Sequence, residues 1–170
     1  TKIMSMTDGV LVISRQMIDT IKIPRKKKYF MGNGIDGNIY KKISKIKTKK
    51  QIIHIGNFRW QKNHDLLVKA FNIFLVSHPG YRLVLVGTGE ECNKIKKLAH
   101  TLNISKEIIF LGAKNPKEVN QLLNESEFFV LSSISEGSPK VVMESLATGT
   151  PVVSTDIGNV KDLIKEAGLI

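Results

Sequence analysis

FFVLSSISEGSPKVVMESLATGTPVVST, residues 128 to 155, reads as a strand, a loop, a helix and a second strand. The two ends, FFVLS (128–132) and PVVST (151–155), are short, β-branched or aromatic, and too brief for helices. Residues 138–148 between them are of helix length. Ser138 is placed to cap that helix, and Pro139 suits its first position. A strand, a crossover helix and a parallel strand form the repeating unit of an α/β sheet.

The same unit recurs upstream. QIIHIG (51–56), RLVLVG (82–87) and EIIFLG (107–112) show little alternation, as expected of strands covered on both faces. Between them, Leu67, Ala70, Phe71 and Phe74 fall at helical spacing within 63–78, and Ile95, Leu98, Ala99 and Leu102 do so within 90–103. Asn63 is a cap candidate, with Asp65 in the first turn. Segment 115–125 is a further helix, 158–167 another, and GLI (168–170) begins one more strand. Near the start, DGVLVIS (8–14) reads as a strand and 15–22 as a short helix. MGNGIDG (31–37) is a turn cluster, and a boundary is expected between about 33 and 50. The fold expected is a doubly wound, Rossmann-like parallel sheet.

The chain has 170 residues, one cysteine and a net charge of +11. No stretch approaches the ~18 unbroken apolar residues of a membrane span. Cys92 alone allows no intramolecular disulfide, which suggests a reducing compartment. Residues 22–50 carry eleven basic residues and one acid, Asp36, so nearly all the excess charge is local. The plain reading is a solvated linker, and the functional one is attraction to an anionic membrane surface. Only Tyr29, Phe30 and Tyr40 offer stacking surfaces there, and no zinc-finger or RNA-recognition motif is present, so no nucleic-acid partner is expected. No His/Cys/Asp set has metal-ligand spacing.

Ligands of open α/β sheets sit beyond the carboxyl ends of the strands. That rule points to the loop 133–140, where the amides of Lys140 and Val141 would meet an anion. Glu136 lies in that loop. Glu144 lies ~9 Å along the helix from Ser138 and leans back toward its start. Among Val141, Val142, Met143 and Leu146 it would be only partly wet. A carboxylate so placed needs donors, and vicinal sugar hydroxyls supply them. An ordinary Lys140–Glu144 surface pair is the competing reading, and spacing alone leaves both open.

EGSPKVVMESLATGTPVVST resembles the signature of the group 1 family of retaining glycosyltransferases. HIGNFRWQKNHDLLVKAF, RLVLVGTGEE, IIFLG, FFVLSSISEG and GNGID resemble further motifs of that family, in order along nearly the whole chain. The resemblance implies the two-domain GT-B fold, with residues 1–36 as a remnant of the acceptor-binding N-terminal domain and linker. Residues 37–170 would be the nucleotide-sugar-binding C-terminal domain, truncated at its end. It implies a nucleotide-diphosphate sugar donor and transfer of the glycosyl group to an acceptor hydroxyl with retention, in polysaccharide or glycolipid synthesis. The chain alone would bind nucleotide without transferring sugar.

The resemblance also assigns roles. Glu144 would hold the ribose, Glu136 the donor sugar, and the amides from Gly137 through Ser138, Pro139, Lys140, Val141 and Val142 would frame the diphosphate. Lys62 would neutralise charge on the leaving group. Gly56, Asn57, Gly87 and Gly89 would line the donor site. No metal or other cofactor is expected, because Lys62 and backbone donors take that work. The family usually carries Arg where this chain has Asn57. Arg59 either replaces it or is a solvent-exposed loop residue beside Trp60. The acceptor, a glycan or glycolipid, would meet the absent domain. Location would be cytoplasmic, peripheral to the membrane's cytoplasmic face. The rivals are a nucleotide-sugar epimerase of the same fold and a basic nucleic-acid-binding module. His54 is expected to be a satisfied core histidine, His64 a polar first-turn residue, and Cys92 a packing residue.

Overall fold

The computed structural model describes residues 7–23, 27–164 and 168–170. Five strands fall where the apolar runs predict. They are β3 (Gln51–Ile55), β4 (Arg82–Val86), β5 (Ile108–Gly112), β6 (Phe128–Leu131) and β7 (Val152–Ser154), joined at the edge by β8 (Gly168–Leu169). All pair in parallel, in the order β5-β4-β3-β6-β7-β8. A smaller parallel pair, β1 (Val10–Val12) with β2 (Lys28–Phe30), stands before this sheet. The sequence reading missed β2, because two aromatic residues after a basic run, Tyr29 and Phe30, are too short a signal to mark a strand.

Successive residues of one strand feed opposite layers. Ile52, Leu83 and Leu85 join Leu67, Val68 and Phe71 of α2 (His64–Ser77) and Ile95 and Ala99 of α3 (Cys92–Thr101). Ile53, Val84 and Val86 face the other way. They meet Val119 and Leu123 of α4 (Pro116–Glu125), Val142 of α5 (Lys140–Ala147), and Val160 and Ile164 of α6 (Val160–Ile164). Both faces of β3 and β4 are therefore dry, which explains why those runs are continuous rather than alternating. A further helix, α1 (Arg15–Thr20), follows β1. Cys92 is a free, half-buried thiol packed against the first apolar layer, as expected.

Helix starts follow local chemistry. The Asn63 side chain accepts from the Leu66 amide, as predicted, from a left-handed backbone (φ 50°). Asn115 and Glu118 cap α4 reciprocally, with Pro116 opening the helix. At α5 the expectation fails. Pro139 is the cap residue, with an extended backbone, and no side chain caps the helix. The Ser138 hydroxyl instead accepts from Asn159, so it is diverted from the cap and the helix starts one residue late.

The segment before β3 is laced to α4 by two buried asparagines. The Lys41 amide donates to Asn120 Oδ1 and the Ile43 amide to Asn124 Oδ1, while Asn124 Nδ2 returns a bond to the Lys41 carbonyl. This seats Tyr40 against the second apolar layer, beside Glu144 of α5. Among the described residues, no helix is long and apolar enough to cross a membrane.

Candidate functional site

The strand order reverses between β3 and β6: β4 and β5 run outward on one side, β7 and β8 on the other. The loops leaving β3 and β6 therefore diverge above adjacent strands and leave a crevice between them, the usual ligand position in such sheets. Residues 56–63 and 132–139 form its walls.

The two walls are tied together. Ser132 Oγ donates to the Lys62 carbonyl at 2.9 Å, and the Ile134 amide donates to the Gln61 carbonyl at 2.7 Å. Thr155 Oγ1, after β7, donates to the Ser133 carbonyl at 2.6 Å. Across this frame Lys62 Nζ lies 2.5 Å from Glu136 Oε1, and Ser133 Oγ donates to the same oxygen at 2.9 Å. Both charged side chains are about four-fifths covered (22% and 18% exposed), so they are partly desolvated yet reachable. The two residues singled out for catalysis, 74 positions apart, are in direct contact.

Lys62 reaches Glu136 over Gly56. A side chain at 56 would come within 3.2 Å of both Lys62 Cε and His54 Nε2, so the glycine leaves room for the lysine stem. Gly87 and Gly89 hold the neighbouring turn against the 56–58 loop. The Phe58 amide donates to the Thr88 carbonyl at 2.9 Å, and the Glu91 amide to the Phe58 carbonyl at 3.0 Å. Asn57 is exposed. Arg59 is exposed too and lines a cleft of about 420 Å³ with Trp60, Gln61, Gly89 and Glu90.

At the start of α5, Pro139 has no amide hydrogen, and the Val142 amide donates to the Pro139 carbonyl at 3.2 Å. Helix geometry turns the Lys140 and Val141 amides outward along the axis. The Val142 side chain is fully buried. One turn further on, Glu144 is half-buried. Burial raises its carboxyl pKa, while a hydrogen bond from the Tyr40 hydroxyl and the charge of Lys140 oppose that rise. Tyr40 in turn is pushed up to about 12, chiefly by burial and then by the Glu144 charge. Of the two neighbours, Tyr40 thus acts on the Glu144 carboxyl ahead of Lys140. Sequence reading weighed Tyr40 only as a stacking residue, since nothing local places it beside a residue 104 positions later.

Beneath Lys62 lie two buried histidines. His54 is fully covered, with Nδ1 on the Val130 carbonyl at 2.8 Å, but its Nε2 has no partner among the described residues. It is therefore only half satisfied. His64 is 2% exposed, against the polar first-turn expectation; its ring stacks on Phe58 at 4.2 Å and meets His54 edge-on at 4.7 Å. The apolar stack wins because Phe58 points inward from the loop above α2. Burial drives His54 to about 3 and His64 to about 4, with the nearby Lys62 charge acting in the same direction.

Both rings fold neutral, whereas the unfolded chain binds their protons below about pH 6.5. Folding stability contributed above that pH is therefore lost as pH falls from 6.5 toward 4. At pH 5 each ring accounts for about 2 kcal/mol of loss. Urea unfolding of the chain and of His64→Phe at pH 7 and pH 5 checks this. The variant is expected to lose about 2 kcal/mol less than wild type across that interval, and equal losses would contradict it.

Residues 36–169 match the family model described as glycosyl transferases group 1, and the chain belongs to that family. It is 30% identical to the N-acetyl-alpha-D-glucosaminyl L-malate synthase of Bacillus anthracis, across 94% of this chain and 44% of that protein. Against the alpha-monoglucosyldiacylglycerol synthase of Streptococcus pneumoniae it is also 30% identical, over 69% of this chain and 27% of that one. The chain thus spans less than half the length of these relatives. Among solved structures, the sucrose-phosphate synthase of Thermosynechococcus elongatus superposes with a TM-score of 0.85 at 21% identity, covering 99% of this chain and 46% of that one. Anabaena Alr3699/HepE in complex with UDP and glucose gives 0.84 at 19% identity, covering 96% and 49%. The α/β fold is that of GT-B glycosyltransferases.

Proposed function

We propose that this chain is the donor-binding part of a retaining glycosyltransferase. The carrying observation is the Lys62–Glu136 contact at the switch point of the sheet, beside the first turn of α5. A nucleoside diphosphate placed there meets the outward amides of Lys140 and Val141 and the Lys62 ammonium. Its ribose hydroxyls reach Glu144, whose half-buried carboxylate they supply with donors. The donor sugar lies against Glu136, whose carboxylate accepts from sugar hydroxyls. As the glycosyl bond breaks, charge grows on the diphosphate, and a preformed cation with oriented amides stabilises that charge more than the ground state. Arg59, in the cleft next to Gly89, supplies a second positive charge from a different turn than the family's usual position. In this reading Lys62 and the amides carry out the neutralisation, without a metal.

The acceptor belongs to a domain outside residues 37–170, with residues 1–36 leading from it. The relatives named for malate and diacylglycerol products favour a small or lipid-linked acceptor. Lys41, Lys42, Lys45 and Lys47 are solvent-facing, and such a cluster favours work at an anionic, cytoplasmic membrane face. An epimerase of the same fold would use the same donor site and differ in its acid/base groups.

Calorimetric titration with UDP tests the reading. Glu144→Ala is expected to weaken binding about tenfold, and to weaken uridine by a similar factor, because both share the ribose. A variant that loses UDP affinity but keeps uridine affinity would show that Glu144 does not hold the ribose.

A further inference from the structure

One residue of the donor loop is gripped from two directions. The Ser138 carbonyl accepts from Asn33 Nδ2 at 2.9 Å, and its hydroxyl accepts from Asn159 Nδ2 at 3.1 Å. Asn33 lies in the turn cluster 105 positions upstream, and Asn159 follows β7. Next to Asn159, Gly158 presses backbone on backbone. A Cβ at 158 would stand 2.4 Å from the Glu136 carbonyl oxygen and 2.8 Å from that of Gly137, and its φ is +54°. Loop 156–159 therefore lies directly on 136–138.

This grip answers a deficiency of α5. The helix has no side-chain cap, and its cap residue is a proline. Backbone amides bind an anion well only when their direction is fixed beforehand, since a frayed first turn must be ordered at the moment of binding. Asn159 keeps its place although its Oδ1 is buried and unpartnered among the described residues, an unfavourable arrangement for an amide oxygen. Its useful contact is the one to Ser138.

We propose that Asn33 and Asn159 are positioning residues that hold Ser138 from both sides and so fix the first turn of α5 for the diphosphate. The proposal rests on the donor-site reading above. Neither asparagine touches the reacting groups; both act through Ser138.

Two measurements test it. Amide hydrogen exchange in the unliganded chain reads the turn itself. Asn159→Ala and Asn33→Ala are each expected to speed exchange at Val142, whose amide bonds to the Pro139 carbonyl, by tenfold or more. Calorimetry with UDP and with uridine reads the consequence: UDP affinity falls about tenfold in each variant, and uridine affinity stays within twofold. Asn159→Asp, nearly isosteric but without the amide donor, is expected to reproduce both losses. In a Ser138→Ala background, Asn159→Ala adds nothing, whereas Asn33→Ala still costs affinity because its carbonyl partner remains. Exchange at Val142 within twofold of wild type in both single variants would overturn the clamp. Wild-type chain that binds no UDP, with exchange still accelerated in the variants, would sink the donor reading and leave the clamp standing as a structural device.

Discussion

Lys62→Ala is expected to weaken UDP binding about a hundredfold, and Glu136→Gln to strengthen it several-fold. The opposite signs follow from one geometry. Lys62 Nζ stands 2.5 Å from Glu136 Oε1 in a crevice where both side chains are about four-fifths covered. Two unit charges ~4 Å apart at an effective dielectric of ~20 interact by about 4 kcal/mol. Part of the lysine's attraction for a diphosphate is already engaged by Glu136, so a net effect of about 3 kcal/mol, or roughly a hundredfold, remains. Without Lys62 the partly buried carboxylate is left to repel the incoming anion. Without the carboxylate charge, the ammonium is free for phosphate. The same Glu136→Gln change is expected to weaken a UDP-sugar, since in the proposed site the neutral amide would replace the carboxylate facing the sugar. Calorimetry at fixed ionic strength separates the cases. Weaker binding of plain UDP by Glu136→Gln would mean that Glu136 does not compete with the diphosphate for Lys62.

The second large effect is on stability. Gly87→Ala is expected to cost about 3–5 kcal/mol in urea unfolding. Gly87 has φ +137°, and a Cβ there would stand 2.1 Å from the Gly56 carbonyl oxygen, far inside contact distance. Gly56 cannot retreat freely. Its amide donates to the Val86 carbonyl at 2.9 Å, and behind it lie His54 and the Lys62 stem. The strain is therefore transmitted to the site itself. Gly112 is the control, with φ +68° and nothing within 4 Å of its would-be Cβ. Gly112→Ala carries only the backbone penalty of about 1–2 kcal/mol. Equal losses at the two positions would show that the close approach of the loops is not what requires glycine at 87.

The parallel sheet was legible because burial on both faces leaves continuous apolar runs, and β3, β4 and β6 fall within a residue of where those runs predict. Lys62, Glu136 and Glu144 stand out as candidates through their motifs, and the first two are in contact. Other features depend on chain segments that meet only in three dimensions. Ser138 has the composition of a cap, but Asn159, 21 positions later, takes its hydroxyl. His64 occupies a polar position on the helix pattern, but Phe58 covers it from the loop above. Tyr40 and Asn33 lie in a stretch dominated by turn residues and lysines, and only the lacing of 41–43 onto Asn120 and Asn124 carries Tyr40 to α5. Periodicity reports which face of an element is apolar, and it is silent about which distant side chain meets which loop.

The proposed donor site centres on an anion seated at the first turn of α5, facing Lys62. Titrating the isotopically labelled chain with UDP and following its backbone amide resonances tests this directly. The largest shifts are expected at Lys140, Val141 and their neighbours from Gly137, together with Lys62, and they saturate together. Shifts confined to the basic residues 22–50, or none in the 136–144 loop and helix, would contradict it.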